Sequence, residues 1–338
     1  MRTSRNPLIL VWSGILVSCL ASCTSFDHLT QAPSTGDVGP KAVECGSCHG
    51  QQYGEWQGSV HAKSFLSPTF QEAAGKPPES ECLQCHSPLG KQGEAMASRS
   101  FHQEEGVTCV SCHLIEGAMH GPHGSTALVS PHPIKEDQAS YTSVAICANC
   151  HCETVEQWHK ATAGQPAPTC QECHQKPVER TVTQGTNLFS NMLVAFEKKV
   201  QSRSHDINLD HMAPRPDAIS LTIAPPTRHG DEMRWQVTIA NHLPHDLPTG
   251  TYGDKEVRLV PVVAKDNRRL PERSVLLGKA SKPLAAGART EVQLSLPASE
   301  CASVSLRLDV ERHSPSHAER NPIVLAAFPL PSTDKVVP

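Results

Sequence analysis

One pentapeptide pattern, Cys-x-x-Cys-His, occurs five times: Cys45–His49, Cys82–His86, Cys109–His113, Cys147–His151 and Cys170–His174. It uses ten of the fourteen cysteines. Two thiols three residues apart can each form a thioether to one porphyrin edge, and the adjacent imidazole then reaches the iron from one face. The pattern therefore implies five covalently bound haem c groups. Their attachment residues are Cys45, Cys48, Cys82, Cys85, Cys109, Cys112, Cys147, Cys150, Cys170 and Cys173, and their proximal ligands His49, His86, His113, His151 and His174. Zinc ribbons and dithiol redox pairs also use Cys-x-x-Cys. Neither requires a histidine directly after the second cysteine, and here it follows every time.

The N-terminus reads as an export signal. Arg2 and Arg5 precede an apolar stretch, Leu8 to Leu20, that is short for a membrane span and suits a signal peptide. It ends in Leu20-Ala21-Ser22-Cys23, which resembles a bacterial lipobox and implies cleavage before Cys23 and acylation of that residue. Leu16-Val17-Ser18-Cys19 is a second such sequence, but cutting there would shorten the apolar segment. Residues 1–22 are thus expected to be a lipoprotein signal peptide. Residues 23–40, rich in Ser, Thr, Pro and Gly, are expected to be a flexible tether. A lipid anchor holds a body on a membrane without spanning it. The expected location is the periplasmic face of the outer membrane, or the cell surface.

Aromatic residues are only 4% of the chain, and the region holding the five motifs lacks long apolar runs, so little core can form there without a bulky apolar cofactor. Near Ala213 the character changes. Ile219, Leu221 and Ile223 alternate with polar neighbours, as do Trp235, Val237 and Ile239; Val292, Leu294 and Leu296; and Val304, Leu306, Leu308 and Val310. Period-two alternation marks half-buried strands. Val257–Ala264, Ser274–Leu277 and Ile323–Phe328 are less regular candidates. The expected fold is a haem-dominated, mostly α and irregular cytochrome c domain, residues 41–213, followed by an all-β immunoglobulin-like sandwich, residues 214–338. Between them Leu188, Met192, Phe196 and Val200 recur every four residues, which predicts an amphipathic helix over Asn187–Ser202 covering a haem face. A weak internal repeat sets Trp56 seven residues after His49 and Trp158 seven after His151, each in a stretch suited to a helix leaving the motif.

Several segments resemble the multihaem cytochrome c superfamily that includes the tetrahaem electron acceptor of hydroxylamine oxidoreductase. They are Glu55-Trp56-x-x-Ser59-x-His61-Ala62, Gly106-Val107-Thr108-Cys109, Ser130-Pro131-His132, Thr169–His174, Arg203-Ser204-His205, and Asn241-x-x-x-His245-Asp246-Leu247-Pro248-Thr249-Gly250. Pro244 stands where the last pattern has Gly. The resemblance implies distal axial ligation by His61, His132, His205 and His245. His102, seven residues before Cys109, is a further candidate on position alone, with His120, His123 and His159 as competitors. Ligation by His245 would tie the strand-rich domain to the haem domain. Cys152 and Cys301 belong to no motif. They pair as a disulfide or remain two separate thiols.

Closely spaced irons with two protein ligands each suit electron transfer, whereas a vacant sixth position admits substrate. The expected function is electron carriage between extracytoplasmic partners, either redox proteins or quinol-oxidising complexes. One alternative is an oxidoreductase with one open haem acting on a small nitrogen or sulfur species. Another is a subunit of a cytochrome filament, with self-association of the strand-rich domain. Nothing else in the chain reads as chemistry. No lysine replaces a motif histidine, as it does in pentahaem nitrite reductases. Tyr53, Tyr141 and Tyr252 are poorly placed for the crosslinked haem of hydroxylamine oxidoreductase. No basic patch suggests nucleic acid.

Overall fold

A computed structural model describes residues 40–329, except 94, 125–131, 133, 164, 185–190, 192–193, 210–216, 251–252, 264–265 and 301–303. The signal sequence, its Cys23, most of the tether and Cys301 lie outside these residues.

The motif-bearing half is built from short helices. Ala42–Gly46 (α1) holds Cys45, Gly50–Gly58 (α2) leaves the first motif, and Pro68–Ala73 (α3) follows. Ser80–His86 (α4) contains the second motif and Cys109–His113 (α5) is the third. Gln138–Thr142 (α6) and Ala145–Ala148 (α7) lead into the fourth, Cys152–Thr162 (α8) leaves it, and Cys170–His174 (α9) is the fifth. A helical turn suits the pattern, because residues three and four apart share one face and set both thiols and the imidazole on one side. The turns are capped locally. Ser67 accepts the Phe70 N–H at 3.3 Å ahead of α3, with Pro68 at its first position.

The Trp repeat extends to three dimensions. Trp56 Nε1 donates to the Val107 carbonyl at 2.7 Å, and Trp158 Nε1 to the Pro168 carbonyl at 2.9 Å. Each acceptor lies two residues before the first cysteine of another motif. Thr108 and Thr169, which follow those acceptors, each donate a backbone N–H to a side chain three residues on, Ser111 at 2.9 Å and Glu172 at 2.7 Å. The first and third motifs are therefore joined in the same way as the fourth and fifth.

Two features differ from the sequence reading. Pro88–Gln92 (β1), Ala95–Ser98 (β2), Leu114–Ile115 (β3), Ala118–Gly121 (β4) and Ile134–Glu136 (β5) form a sheet in the order β2-β1-β3-β4-β5. Pairing of the connecting segments satisfies their backbone groups, a need that side-chain patterning does not reveal. The proposed helix Asn187–Ser202 is not continuous. Pro177–Arg180 (β6) pairs with Val200–Arg203 (β7), so its C-terminal end is strand, and Phe196 is 87% exposed rather than covering a haem. The spacing of Leu188 and Met192 falls outside the described residues.

From Ile219 onward the described chain is strand-rich. Ile219–Ile223 (β8), Thr227–His229 (β9) and Glu232–Asn241 (β10) come first. Asp254–Val263 (β11), Arg268–Arg269 (β12), Val275–Lys279 (β13) and Arg289–Pro297 (β14) follow, then Val304–His313 (β15) and Ala318–Pro329 (β16). One antiparallel sheet runs β14-β10-β8, with β9 also on β10. The other runs β12-β11-β15-β16, with β13 also on β11. Trp235, Val237, Ile239 and Leu294 from the first pack with Val257, Leu259, Leu306 and Leu308 from the second, all at 1% exposure or less. The alternation read from sequence is this inward face. Leu294→Ala is expected to cost about 2–5 kcal/mol through lost burial and a residual cavity, read as a lower denaturation midpoint of the Trp235 fluorescence.

Candidate haem sites

The motif cysteines and histidines open onto one connected cavity of about 2680 Å³, far beyond the roughly 300–1,000 Å³ of a single small-molecule pocket. Within it, four motif histidines each face a second histidine from a distant part of the chain. Ring centres are 6.3 Å apart for His49 and His132, 6.3 Å for His61 and His151, 6.2 Å for His113 and His205, and 6.5 Å for His174 and His245. A metal between two imidazoles needs about 6 Å: two metal–nitrogen bonds of about 2 Å, plus roughly 1 Å from each nitrogen to its ring centre. The residues fit bis-imidazole ligation.

Tautomers fit as well. Nδ1 of His49 lies 2.8 Å from the Val182 carbonyl, that of His86 3.0 Å from Ser64 O, that of His113 2.7 Å from His120 O, and that of His245 3.0 Å from Asp246 O. A carbonyl only accepts, so each Nδ1 carries the proton and Nε2 is left free for a metal. Burial depresses these imidazoles, which keeps them in the neutral, ligating form. It takes His61 and His174 to about 4 and His205 to about 3, and lowers His49, His86, His113, His151 and His245.

The family-like segments are the scaffold for these pairs. Glu55 accepts Arg180 Nη1 at 2.9 Å and the backbone N–H of His205 at 2.9 Å, fixing where that histidine stands after the β6–β7 hairpin. Val107 N–H donates to His61 O at 3.0 Å. At Gly106, with φ +64°, a Cβ would sit 2.6 Å from His61 O, so only glycine lets the third motif approach so closely. Asn241, fully buried, donates through Nδ2 to the carbonyls of His245, Leu284 and Ala285 and accepts the Leu243 N–H. That knot holds the His245 loop with Pro244 in it. Ser130 and Pro131 lie outside the described residues.

Motifs also touch one another. The sulfur atoms of Cys45 and Cys109, Cys147 and Cys170, and Cys85 and Cys150 lie close enough to shift one another's ionisation. Cys112 lies close enough to influence Cys147 and Cys150. The fourth motif is thus the junction of the second, third and fifth.

His86 is the exception. Among the described residues its ring neighbour is Phe70, stacked at 3.8 Å and 10°, and not a histidine. His102 is not among the residues that line the cavity, and its Nδ1 lies 3.5 Å from Glu104. His120 offers its carbonyl to His113, His123 Nε2 lies 2.8 Å from Gln201 O, and His159 packs edge-on to Trp158. Cys152 is an exposed free thiol. Tyr141 stacks on His113 at 5.1 Å and donates to Cys112 O, a supporting position that spacing alone did not suggest. Glu256, Glu311 and His313 also cluster within metal-binding reach. Arg258 Nη2 at 2.7 Å from Glu256 and Arg320 Nε at 2.9 Å from Glu311 already neutralise both carboxylates.

Residues 44–114 match the family model for cytochrome c554 and c-prime. The matched span holds the first three of the five Cys-x-x-Cys-His motifs. No curated protein sequence matches the chain. Among solved structures the chain is similar to a penta-heme cytochrome c552 from Thermochromatium tepidum, at 18% identity and TM-score 0.45, over 84% of this chain and 99% of that one. A shorter likeness is to a GH20 exo-β-N-acetylglucosaminidase from Vibrio harveyi, at 14% identity and TM-score 0.19, over 34% of this chain and 18% of that one. These structural likenesses carry no functional argument. Among the described residues no helix is long and apolar enough to cross a membrane.

The strand-rich part of the chain closes over the motif-bearing part through polar contacts. Gln157 Oε1, on α8, accepts Asp246 N–H at 3.1 Å and Thr249 Oγ1 at 2.8 Å, beside the His245 loop. Glu72, on α3, accepts the Ser314 and Ser316 hydroxyls, the Ser316 N–H at 2.9 Å and His317 Nδ1 at 3.1 Å. The Ser314 bond leads the causes that depress the Glu72 carboxyl to about 2. A depressed carboxyl stabilises the fold above its unfolded value of about 4.5 and loses that contribution as pH falls toward 2. Glu72→Ala is expected to destabilise the protein at pH 7, with the gap to wild type closing between about pH 4.5 and 2 in denaturant titrations. A gap that does not change with pH would contradict the clamp.

Proposed function

We propose that this chain is a pentahaem c-type cytochrome lipoprotein that carries electrons through closely packed, mostly bis-histidine haems between extracytoplasmic partners. The observation that carries the reading is the set of four imidazole pairs. Covalently held haem iron supplies the one-electron chemistry. The chain's residues do the rest. Cysteines of each motif anchor a porphyrin edge, and His49, His86, His113, His151 and His174 ligate from the proximal side. His132, His61, His205 and His245 close the distal side of the first, fourth, third and fifth sites. Backbone carbonyls orient the rings, and burial excludes the protonated form. Thiol contacts around the fourth motif support a branched path, with the first and third motifs on one arm and the second and fifth on the others. The strand-rich part, read as an immunoglobulin-like sandwich, supplies His245. The Leu20–Cys23 lipobox supports a lipid anchor on the outer membrane, facing redox proteins or a quinol-oxidising complex.

The environment of His86 favours a second reading, in which the haem of the second motif keeps an open position and reduces or oxidises a small nitrogen or sulfur species. Carbon monoxide binding to the dithionite-reduced protein tests both. The expected spectral change amounts to at most one haem in five. A change of one supports the open site, none removes it, and a larger one contradicts the ligand pairs. In His245→Ala, the haem content is expected to stay the same, because attachment is through cysteine, and one further haem is expected to bind carbon monoxide.

A further inference from the structure

Two neighbouring strands break their own pattern at the same level. Inward positions on β15 run Leu306, Leu308 and Val310, and the next is Arg312. On β11 they run Leu259 and Val257, and the next is Lys255. Antiparallel register sets Lys255 directly opposite Arg312. Like charges facing each other across a strand pair destabilise a sheet, and both side chains here are half-buried at the wall of the haem chamber that also holds His86 and His151.

The carboxylates nearby offset this pair only in part. Glu319 stands opposite Arg312 on β16 and its charge favours the guanidinium, but burial of Arg312 outweighs it, and Glu319 Oε1 is turned to Ser67 Oγ at 2.7 Å and the Thr69 N–H at 3.4 Å. Glu153 flanks Lys255 across Gly250. Lys255 is nevertheless pushed down to about 8, first by burial and then by Arg312, whose effect exceeds that of Glu153. Ser67 and Thr69, which hold Glu319, start the α3 helix whose Phe70 stacks on His86, and Lys255 Nζ donates at 2.6 Å to the carbonyl of Thr249, whose hydroxyl meets that of Thr154, three residues after His151. Two cations thus stand beside these two motifs, in a place where an apolar residue would continue each strand.

We propose that Arg312, with Lys255 beside it, seats a haem carboxylate in the chamber between His86 and His151, and that its charge makes the haems of these two motifs the most readily reduced of the set. The inference rests on the multihaem reading. An anion between the cations removes the cross-strand repulsion. A fixed cation near an iron disfavours its more positive, oxidised state and raises its potential. A guanidinium fork suits a planar carboxylate. The strand-rich part would then tune two haems electrostatically, besides contributing His245 to another.

Potentiometric titration of the intact holoprotein, followed optically, tests this with Arg312→Met, Arg312→Lys and Lys255→Met. Haem content is measured first. Absence of covalent haem in wild type would overturn the parent reading, and this one with it, before any potential is recorded. With haem content normal, Arg312→Met is expected to lower two of the resolved one-electron waves and leave the others in place. The expected change is about tenfold in the reduced-to-oxidised ratio at a given potential, about 59 mV for one electron. Lys255→Met should shift the same waves less, and Arg312→Lys should keep most of the wild-type value. If Arg312→Met fails to mature, Lys255→Met decides. Unchanged waves in a haem-replete variant would overturn the proposal. So would potentials that shift only when azide or nitrite is added, because the seat would then hold a free anion and not the haem's own carboxylate.

Discussion

Two imidazole rings that must stand about 6 Å apart, with Nδ1 of His49, His113 and His245 turned toward a carbonyl in three of the four pairs, place a severe demand on a chain with few apolar residues. No local segment can meet it, since each pair joins a motif histidine to one far away in sequence. Much of the motif-bearing half serves that spacing. Glu55 holds the backbone of His205, the Val107 N–H and Gly106 press against His61, and Asn241 knots the loop bearing His245. Removing water from the rings does the electrostatic part, because desolvation penalises the charged imidazole.

The duplicated tryptophan tether shows how such an arrangement is assembled from small units. A helix leaves one motif, its indole bonds a carbonyl ahead of another, and a threonine with a side chain three residues on caps the incoming turn. The first cysteines of the two motifs then meet. The first and third motifs use this unit, and so do the fourth and fifth. The second motif stands apart: its His86 packs on Phe70 and its Cys85 meets the junction motif from another side.

The strand-rich part has a conventional hydrophobic core, and that core positions polar and charged groups at its edge. Inward alternation along β11 and β15 gives way to Lys255 and Arg312 where the sheet meets the haem chamber. Glu72 and Gln157 bind this end of the domain by hydrogen bonds, which need close geometry but little apolar surface. In the proposed function the domain is therefore part of the redox centre.

The chemistry of the motifs was legible from residue order alone, because thiols at i and i+3 with an imidazole at i+4 constrain geometry within one helical turn. Strand periodicity was legible for the same reason, since alternation follows directly from the pleat. The helix expected over Asn187–Ser202 was misread at its C-terminal end, because a four-residue spacing of apolar side chains does not encode the hairpin partner at Pro177–Arg180. His61, His132, His205 and His245 were named through resemblance, but their partners, and the contrast between them and His102, emerged only in three dimensions. The carbonyl acceptors, the Phe70 stack and the facing cations Lys255 and Arg312 carry no sequence signal. Each depends on which distant backbone and which strand register come together, and only the packed chain decides that.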